Sequence, residues 1–429
     1  MLDMQFIRDN AEAVAENAKL RNMPVNVQVL LELDERYRNH LQIADALRAQ
    51  RNDNAERLNK IQDKSSMEAQ EIIALGKGLK TKLAEVEAEL AEINSELTPA
   101  KLSVPNMTHP GVPVGSDDAG NGQIAQHSEP TRFEFEPKDH VALGQELDIL
   151  DFDRGSAVAG AGFYFVKGAA ALLEMALVNY AMEVCRSEGF SPMITPDLAY
   201  QEILEGTGYN PRGDETQIYS IEGTDLSLIA TSEIALAGYY KDHTFAAGEL
   251  DEPKRIVAVS HCFRTEAGSY GRESRGLYRV HQFTKVEMFI FCQPKDSDKM
   301  HDEILRVERK IMDGLELPYR VVDCCTGDLG GSAYRKYDIE AWMPFKNDWG
   351  EVTSTSNCTD FQARRLNTKY VTDSGKRELV HTLNGTAVVS SRVPLAIMEN
   401  YQQADGSIKI PTVLHPYMQG VTEIKKEAK

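Results

Sequence analysis

From Asn26 to about Ile61 apolar residues return every three or four positions, at Leu30, Leu33, Tyr37, Leu41, Ala44, Leu47, Leu58 and Ile61. Polar residues fill the gaps, and neither Gly nor Pro interrupts. A polar stretch, Gln62 to Ser66, breaks the pattern, which resumes with Leu79, Leu83, Val86, Leu90, Ile93 and Leu97 in steps of four and three, a heptad seam. Two such segments joined by a short polar turn predict an antiparallel helical hairpin over about 26–98. At 1.5 Å per residue it extends roughly 50 Å. Pro99 is expected to end it, Gly76 and Gly78 to weaken its second helix, and Pro24 to break a short helical lead-in over residues 1–25.

Beyond Ala100 the pattern changes. Residues 101–130 are rich in Pro, Gly, Asn, Ser and Asp and read as a linker. Then come a strand at Phe163–Lys167 and an Ala/Leu-rich helix over Ala169–Ser187 whose apolar face is Leu173, Ala176, Leu177, Tyr180, Ala181 and Val184. Residues 295–317 read as an amphipathic helix, Tyr319–Cys324 and Tyr337–Trp342 as strands, and Val393–Tyr401 as a late helix. The most informative stretch is Ile256–Phe291: two β-rich runs, Ile256–Arg264 and Val280–Phe291, joined by a loop of Gly, Ser, Glu and Arg. Strand alternation puts Arg264 with Glu266 on one face, and Phe283, Lys285 and Glu287 on one face of the returning strand. The whole predicts an α+β chain: a two-helix coiled-coil arm followed by a domain on a mixed, mainly antiparallel sheet flanked by helices.

Composition narrows the picture. The 429 residues suffice for two or three domains, and the net charge of −19 means that any contact with RNA is local. A basic cluster exists near the tip of the arm, at Arg48, Arg51, Arg57, Lys60 and Lys64, with Glu85, Glu87, Glu89, Glu92 and Glu96 nearer its base. Six cysteines without CxxC or zinc-finger spacing predict reduced thiols and no structural zinc. The acidic N-terminus lacks a signal-peptide core and no run is long enough to span a membrane, which predicts a cytoplasmic protein without membrane contact. There is neither a Walker A loop nor a Rossmann fingerprint. The hairpin itself offers a fixed cation for phosphate or carboxylate, an aromatic face for a base, and acids for an ammonium or hydroxyl.

The run FRTEAGSYGRESRGLYRVHQFTKVE, in the stretch 256–291, resembles motif 2 of class II aminoacyl-tRNA synthetases, specifically of the seryl-tRNA synthetase family. Four further stretches match that family in order. GFSPMITPDLAYQEILEGTGYNP, over about 189–211, resembles motif 1 with Pro196 at its proline. Thr231-Ser232-Glu233 resembles the serine-binding TxE signature, and WGEVTSTSNC, Trp349 to Cys358, resembles the family's EISSxSNC segment. HTLNGTAVVSSRVPLAIMENYQ, over about 381–402, resembles motif 3, with Ser391 where the family often has Gly.

The resemblance implies an N-terminal tRNA-binding domain over 1–100, a linker over 101–130 and a class II catalytic domain over 131–429. It implies ATP-dependent ligation of L-serine to tRNA(Ser) through seryl-adenylate, and to tRNA(Sec) where that exists. Arg264 and Arg392 are the implied catalytic cations. Serine is assigned to Thr231, Ser232, Glu233, Arg264, Glu287 and Thr386. ATP is assigned to Arg264, Thr265, Glu266, Val280, Phe283, Glu351, Val352, Thr353, Ser354 and Arg392, with Mg²⁺ held through Glu351 and Ser354. The tRNA is assigned to Arg48, Arg51, Arg57 and Lys60 on the arm and to Arg272 and Arg275 in the loop, and motif 1 implies a homodimer. Two other readings compete: an amino-acid:carrier-protein ligase, against which the arm speaks, and an inactive coiled-coil scaffold, against which Arg264, Glu287, Glu351 and Arg392 speak.

Overall fold

The computed structural model describes residues 1–23, 25–209, 218–266 and 276–426. It divides into two compact units, Leu2–Pro105 and Asn106–Lys429 together with Met1.

The first unit is built on helices α1 (Val27–Lys60) and α2 (Met67–Ser103), preceded by short helices at Met4–Asp9 and Ala11–Leu20. Both long helices begin on a side-chain cap: Asn26 accepts from the Val29 amide, and the Ser66 hydroxyl from that of Ala69. Between them, Leu30, Leu33 and Ala44 are buried with Ile72, Leu79, Leu83, Ile93 and Leu97, which is the seam that the heptad steps require. Arg48 donates to Glu87 at 2.9 Å and His40 lies 3.1 Å from Glu89, so the hairpin is also laced by charge. Near the tip the buried Asn54 amide donates to the Ile72 carbonyl; a Cβ at Gly76 would lie 3.0 Å from that amide, so glycine makes room for it. Pro99 does not end α2, which runs through it to Ser103. One lost amide donor costs about 3 kcal/mol, an amount that a 37-residue helix with a buried seam absorbs. Pro24 lies outside the described residues.

The second unit is an α+β domain on an eight-stranded sheet. In chain order its strands are β1 (Gly122–His127), β2 (Ser191–Ile194), β3 (Lys254–Phe263), β4 (Gln282–Cys292), β5 (Tyr319–Asp323), β6 (Arg335–Met343), β7 (Asp348–Thr359) and β8 (His381–Val389). In space the order is β1-β5-β6-β7-β8-β4-β3-β2, antiparallel throughout except for the parallel pair β2/β3. Of the stretch read as linker, residues 122–127 thus form an edge strand.

Alternation along β4 decides the two faces. Val286, Met288 and Ile290 join a large core with α3 (Gly168–Ser187) and α4 (Ser297–Gly314), through Leu173, Leu177, Ile304, Val307 and Ile311. Among the described residues α3 alone is long and apolar enough to cross a membrane, and its apolar face is used in this core. On the opposite face Phe289 and Phe291 pack with Leu236, Phe245 and Leu366. The same face carries Phe283, Lys285 and Glu287 at the other end of the strand. There the floor is left open.

Candidate active site

The open floor is a cavity lined by residues of several elements. β4 supplies Phe283 and Lys285, β8 supplies Thr386 and Val389, and β7 supplies Glu351, Val352 and Thr353. Arg264 and Glu266 follow β3, Tyr278 and Val280 precede β4, and Ser391 and Arg392 open helix α5 (Ser297–Gly314 being α4), which spans Arg392–Asn400. Ser391 has φ −101°, so this backbone has no need of glycine at that position.

Two clusters of charge share this space. In the first, Arg392 lies 3.0 Å from the Glu351 carboxylate, stacks its guanidinium over the Tyr278 ring at 4.8 Å, and donates to the Tyr278 carbonyl at 3.3 Å. Partial burial opposes the charge of Glu351, but Arg392, Lys336 and Arg264 outweigh it and hold the carboxyl below its ordinary value. Arg264 lies over the Phe283 ring at 5.3 Å, and Glu266 pairs with Arg279 at 3.3 Å. Two guanidiniums and two aromatic rings lining one cavity suit a planar base joined to phosphates.

The second cluster is smaller and drier. Lys285 lies 2.7 Å from Glu287, both side chains being less than a tenth exposed. The ammonium donates to the Thr231 hydroxyl at 3.1 Å, and Thr386 donates to Glu287 at 3.3 Å. Thr231 caps the helix Ser232–Tyr239, accepting from the Glu233 amide. Glu233 accepts from Gln362 at 2.7 Å, and Gln362 in turn accepts from Thr382 at 2.7 Å. Burial, and next the neighbouring Glu287, push the Glu233 carboxyl up to about 7. Burial also raises that of Glu287, with Lys285 opposing. A buried acid set to share a proton or take an ammonium fits a small zwitterion.

Of the residues singled out in the sequence, Arg264, Glu266, Val280, Phe283, Glu351, Val352, Thr353, Thr386 and Arg392 line the one cavity. Thr231, Glu233 and Glu287 lie behind it, linked through Lys285, Thr386 and Gln362. Ser232 is fully buried, Ser354 lies beside Asp338, and Thr265 follows Arg264 outside the lining. Arg264 and Glu266 meet the cavity for a reason other than strand alternation: β3 stops at Phe263, and Glu266 takes a left-handed backbone, φ 50°. Arg48 is tied to Asp45 and Glu87, whereas Arg51, Arg57 and Lys60 are exposed on α1. Arg272 and Arg275 lie outside the described residues. Lys285, Tyr278 and Gln362 were not assigned; alternation already placed Lys285 on the right face, but nothing local marked the other two. Cys324, Asp328 and Asp338 gather ligand atoms within 4.8 Å, and Lys336, 3.2 Å from both acids, supplies the positive charge there.

Known proteins resemble the chain along its whole length. Residues 1–108 match the seryl-tRNA synthetase N-terminal domain and residues 218–401 the tRNA synthetase class II core domain (G, H, P, S and T). Serine–tRNA ligase of Treponema denticola is 51% identical over 419 residues, 97% of this chain and 98% of the relative; that of Dictyoglomus thermophilum is 50% identical over 99% of each. Among solved structures, seryl-tRNA synthetase from Pyrococcus horikoshii complexed with ATP superposes with a TM-score of 0.89 at 37% identity, covering 100% of both chains. The cytoplasmic serine–tRNA ligase from Naegleria fowleri in complex with AMP gives 0.83 at 31%, covering 100% of this chain and 99% of that one. With both units matched, in order and end to end, the chain belongs to the seryl-tRNA synthetases.

Proposed function

We propose that this protein joins L-serine to tRNA(Ser) in two steps, and to tRNA(Sec) where that substrate exists. The serine carboxylate attacks the α-phosphorus of ATP, the bond to the pyrophosphate oxygen breaks, and seryl-adenylate and pyrophosphate form. The terminal ribose hydroxyl of tRNA then attacks the seryl carbonyl and AMP leaves. The observation that carries this reading is one cavity lined by Arg264, Arg392 and Phe283 together with Lys285 and Thr386, with Glu287 and Glu233 tied in behind it. Such chemistry asks for alignment and neutralisation of charge rather than a protein nucleophile.

In this reading Arg264 bridges the serine carboxylate and the α-phosphate, Phe283 stacks on adenine, Glu266 takes its amino group, and Arg392 meets the γ-phosphate. Thr265, Val280, Val352 and Thr353 complete the nucleotide side. Glu233 takes the serine ammonium, and Glu287 and Thr386 its hydroxyl, with Thr231 and Ser232 shaping that wall. Oxygen donors beside substrate phosphates suit Mg²⁺, and an ionised Glu351 with Ser354 would hold it, where it would neutralise phosphate charge. Threonine is rejected by fit alone, worth about 1–3 kcal/mol per methyl, whereas alanine leaves polar groups unpaired.

The exposed basic residues Arg51, Arg57 and Lys60, with Arg48, Arg272 and Arg275, are proposed to contact tRNA backbone, a form of recognition that reads shape. A homodimer is supported by the edge strand β2 with Ile194 89% exposed and by the exposed Met175, Leu198 and Tyr200 near it in sequence or fold. None of the six cysteines forms a disulfide and all are buried, in keeping with a reducing cytoplasm.

Serine-dependent exchange of pyrophosphate into ATP, followed by charging of bulk tRNA, tests the proposal. Both activities are expected. Deleting residues 27–97 should abolish charging and spare exchange; charging by the shortened protein, or transfer to a carrier protein in place of tRNA, would refute it.

A further inference from the structure

Helix α5 carries two charged residues that face different tasks. Arg392 opens it in the cavity; Glu399, two turns on, is 3% exposed and lies outside the cavity lining. Its carboxylate is used on both oxygens. Oε1 accepts from the His140 ring Nδ1 at 2.9 Å and from the His140 amide at 3.2 Å, and Oε2 accepts from the Phe345 amide at 3.2 Å. Beyond it, the side-chain amide of Gln402 pairs with the backbone of Lys138, its oxygen accepting from the amide at 2.8 Å and its nitrogen donating to the carbonyl at 3.0 Å. The His140 backbone is therefore fastened to α5.

The other ring nitrogen of His140 faces a donor. Nε2 lies 3.1 Å from the Leu277 amide nitrogen, and an amide can only donate. The ring proton accordingly sits on Nδ1, where Glu399 receives it, and Nε2 presents a lone pair to Leu277. The backbone is built for this approach: Gly276 has φ +96°, and a Cβ there would fall 2.1 Å from Nε2. The next residue, Tyr278, supplies the ring under Arg392 and the carbonyl that Arg392 Nε reaches. The contacts close a circuit: Arg392, Tyr278, Leu277, His140, Glu399, and back along α5 to Arg392.

We propose that His140 and Glu399 are positioning residues for the nucleotide half of the active site: Glu399 orients His140, which holds the Leu277 backbone so that Tyr278 fixes the Arg392 guanidinium. Neither touches substrate. Without the pair, Tyr278 and Arg392 lose a common reference, and the cation that meets the ATP phosphates explores more than one arrangement. The serine half is held by other hydrogen bonds, of Lys285 to Thr231, Gln362 to Glu233 and Thr386 to Glu287. The inference rests on the assignment of Arg392 to ATP made above.

Pyrophosphate exchange with the full chain separates positioning from bulk stability. In His140→Ala the KM for ATP should rise about tenfold, the measure of one buried hydrogen bond, while the KM for serine stays within about twofold. His140→Gln, whose amide oxygen can accept from Leu277, should recover most of the ATP KM. Glu399→Gln, which keeps an acceptor for His140 but loses its charge, should raise the ATP KM about threefold, and it serves if the alanine variant does not fold. The proposal is overturned if the ATP and serine constants rise together in step with a falling melting temperature. It is equally overturned if folded variants keep the wild-type ATP KM, or if His140→Gln restores the melting temperature without the ATP KM. Arg392→Ala, run beside them, should lose exchange; full activity there would overturn the nucleotide assignment itself, and this inference with it.

Discussion

Replacing Lys285 by Met leaves Glu287 buried without its cation. Glu287 is 1% exposed, its carboxyl already raised by burial, and Lys285 at 2.7 Å is the leading influence that lowers it. Removing the ammonium drives the carboxyl to keep its proton in the folded state, while in the unfolded chain it ionises near 4.5. A raised folded value means that stability is lost as pH climbs above the unfolded one, by ~1.4 kcal/mol per pH unit. For a carboxyl kept fully protonated the penalty is about 2 kcal/mol near pH 6 and about 5 kcal/mol near pH 8. Part of this is already present in the wild type, so the variant should lose about 1–2 kcal/mol at the lower pH and about 3–5 at the higher, the span seen when a buried pair loses one member. Denaturant unfolding followed by tryptophan fluorescence is the assay, because the protein's two tryptophans, Trp342 and Trp349, lie on β6 and β7 and report only on the catalytic unit. Lys285→Met/Glu287→Gln should lose the pH dependence that the single variant adds to the wild type. Equal losses at both pH values, or a loss under about 1 kcal/mol at pH 8, would refute the account of the pair.

Burial pushes the Glu233 carboxyl up to about 7, and in the proposed role it must be ionised to hold an ammonium, so serine affinity should fall as pH drops through about 7. Steady-state KM for serine is expected to be about tenfold higher at pH 6 than on the alkaline plateau, and flat with pH in Glu233→Gln. A Cβ at Gly385 would meet Ile304 at 2.2 Å and the Glu308 carboxylate at 2.7 Å, so Gly385→Ala should destabilise the sheet by about 1–3 kcal/mol in the same fluorescence assay. Pro99→Ala restores a missing amide within α2 and should raise the unfolding free energy read from the helical circular-dichroism signal by up to about 3 kcal/mol.

The parts most legible in the chain were those whose physics is local. A seven-residue recurrence can bury only one stripe, so the hairpin was readable from Leu30 to Ile61, the polar turn, and Leu79 to Leu97; period two along β4 put Phe283, Lys285 and Glu287 together without reference to any other strand. Pro99 misled because a local penalty was weighed without the packing that overrides it. Glu266 reached the cavity through a left-handed turn at φ 50°, a conformation its residue type does not announce. The supports of the site were hidden for a different reason. His140 and Glu399 are 259 residues apart in the chain, and Gln362 meets Glu233 across 129; only the folded sheet brings them together.

The order of strands also bears on how the protein is made. β8, among the last strands synthesised, sits between β7 and β4 and alone joins β1-β5-β6-β7 to β4-β3-β2. At ~5–20 residues per second, roughly 15 to 60 s separate the emergence of the helical hairpin from that of β8. Once β7 has emerged, and until β8 follows, the nascent catalytic unit holds two half-sheets, each with an edge seeking a partner. A ribosome that stalls before residue 381 therefore leaves a sticky chain, and β8 acts as the seal on the sheet.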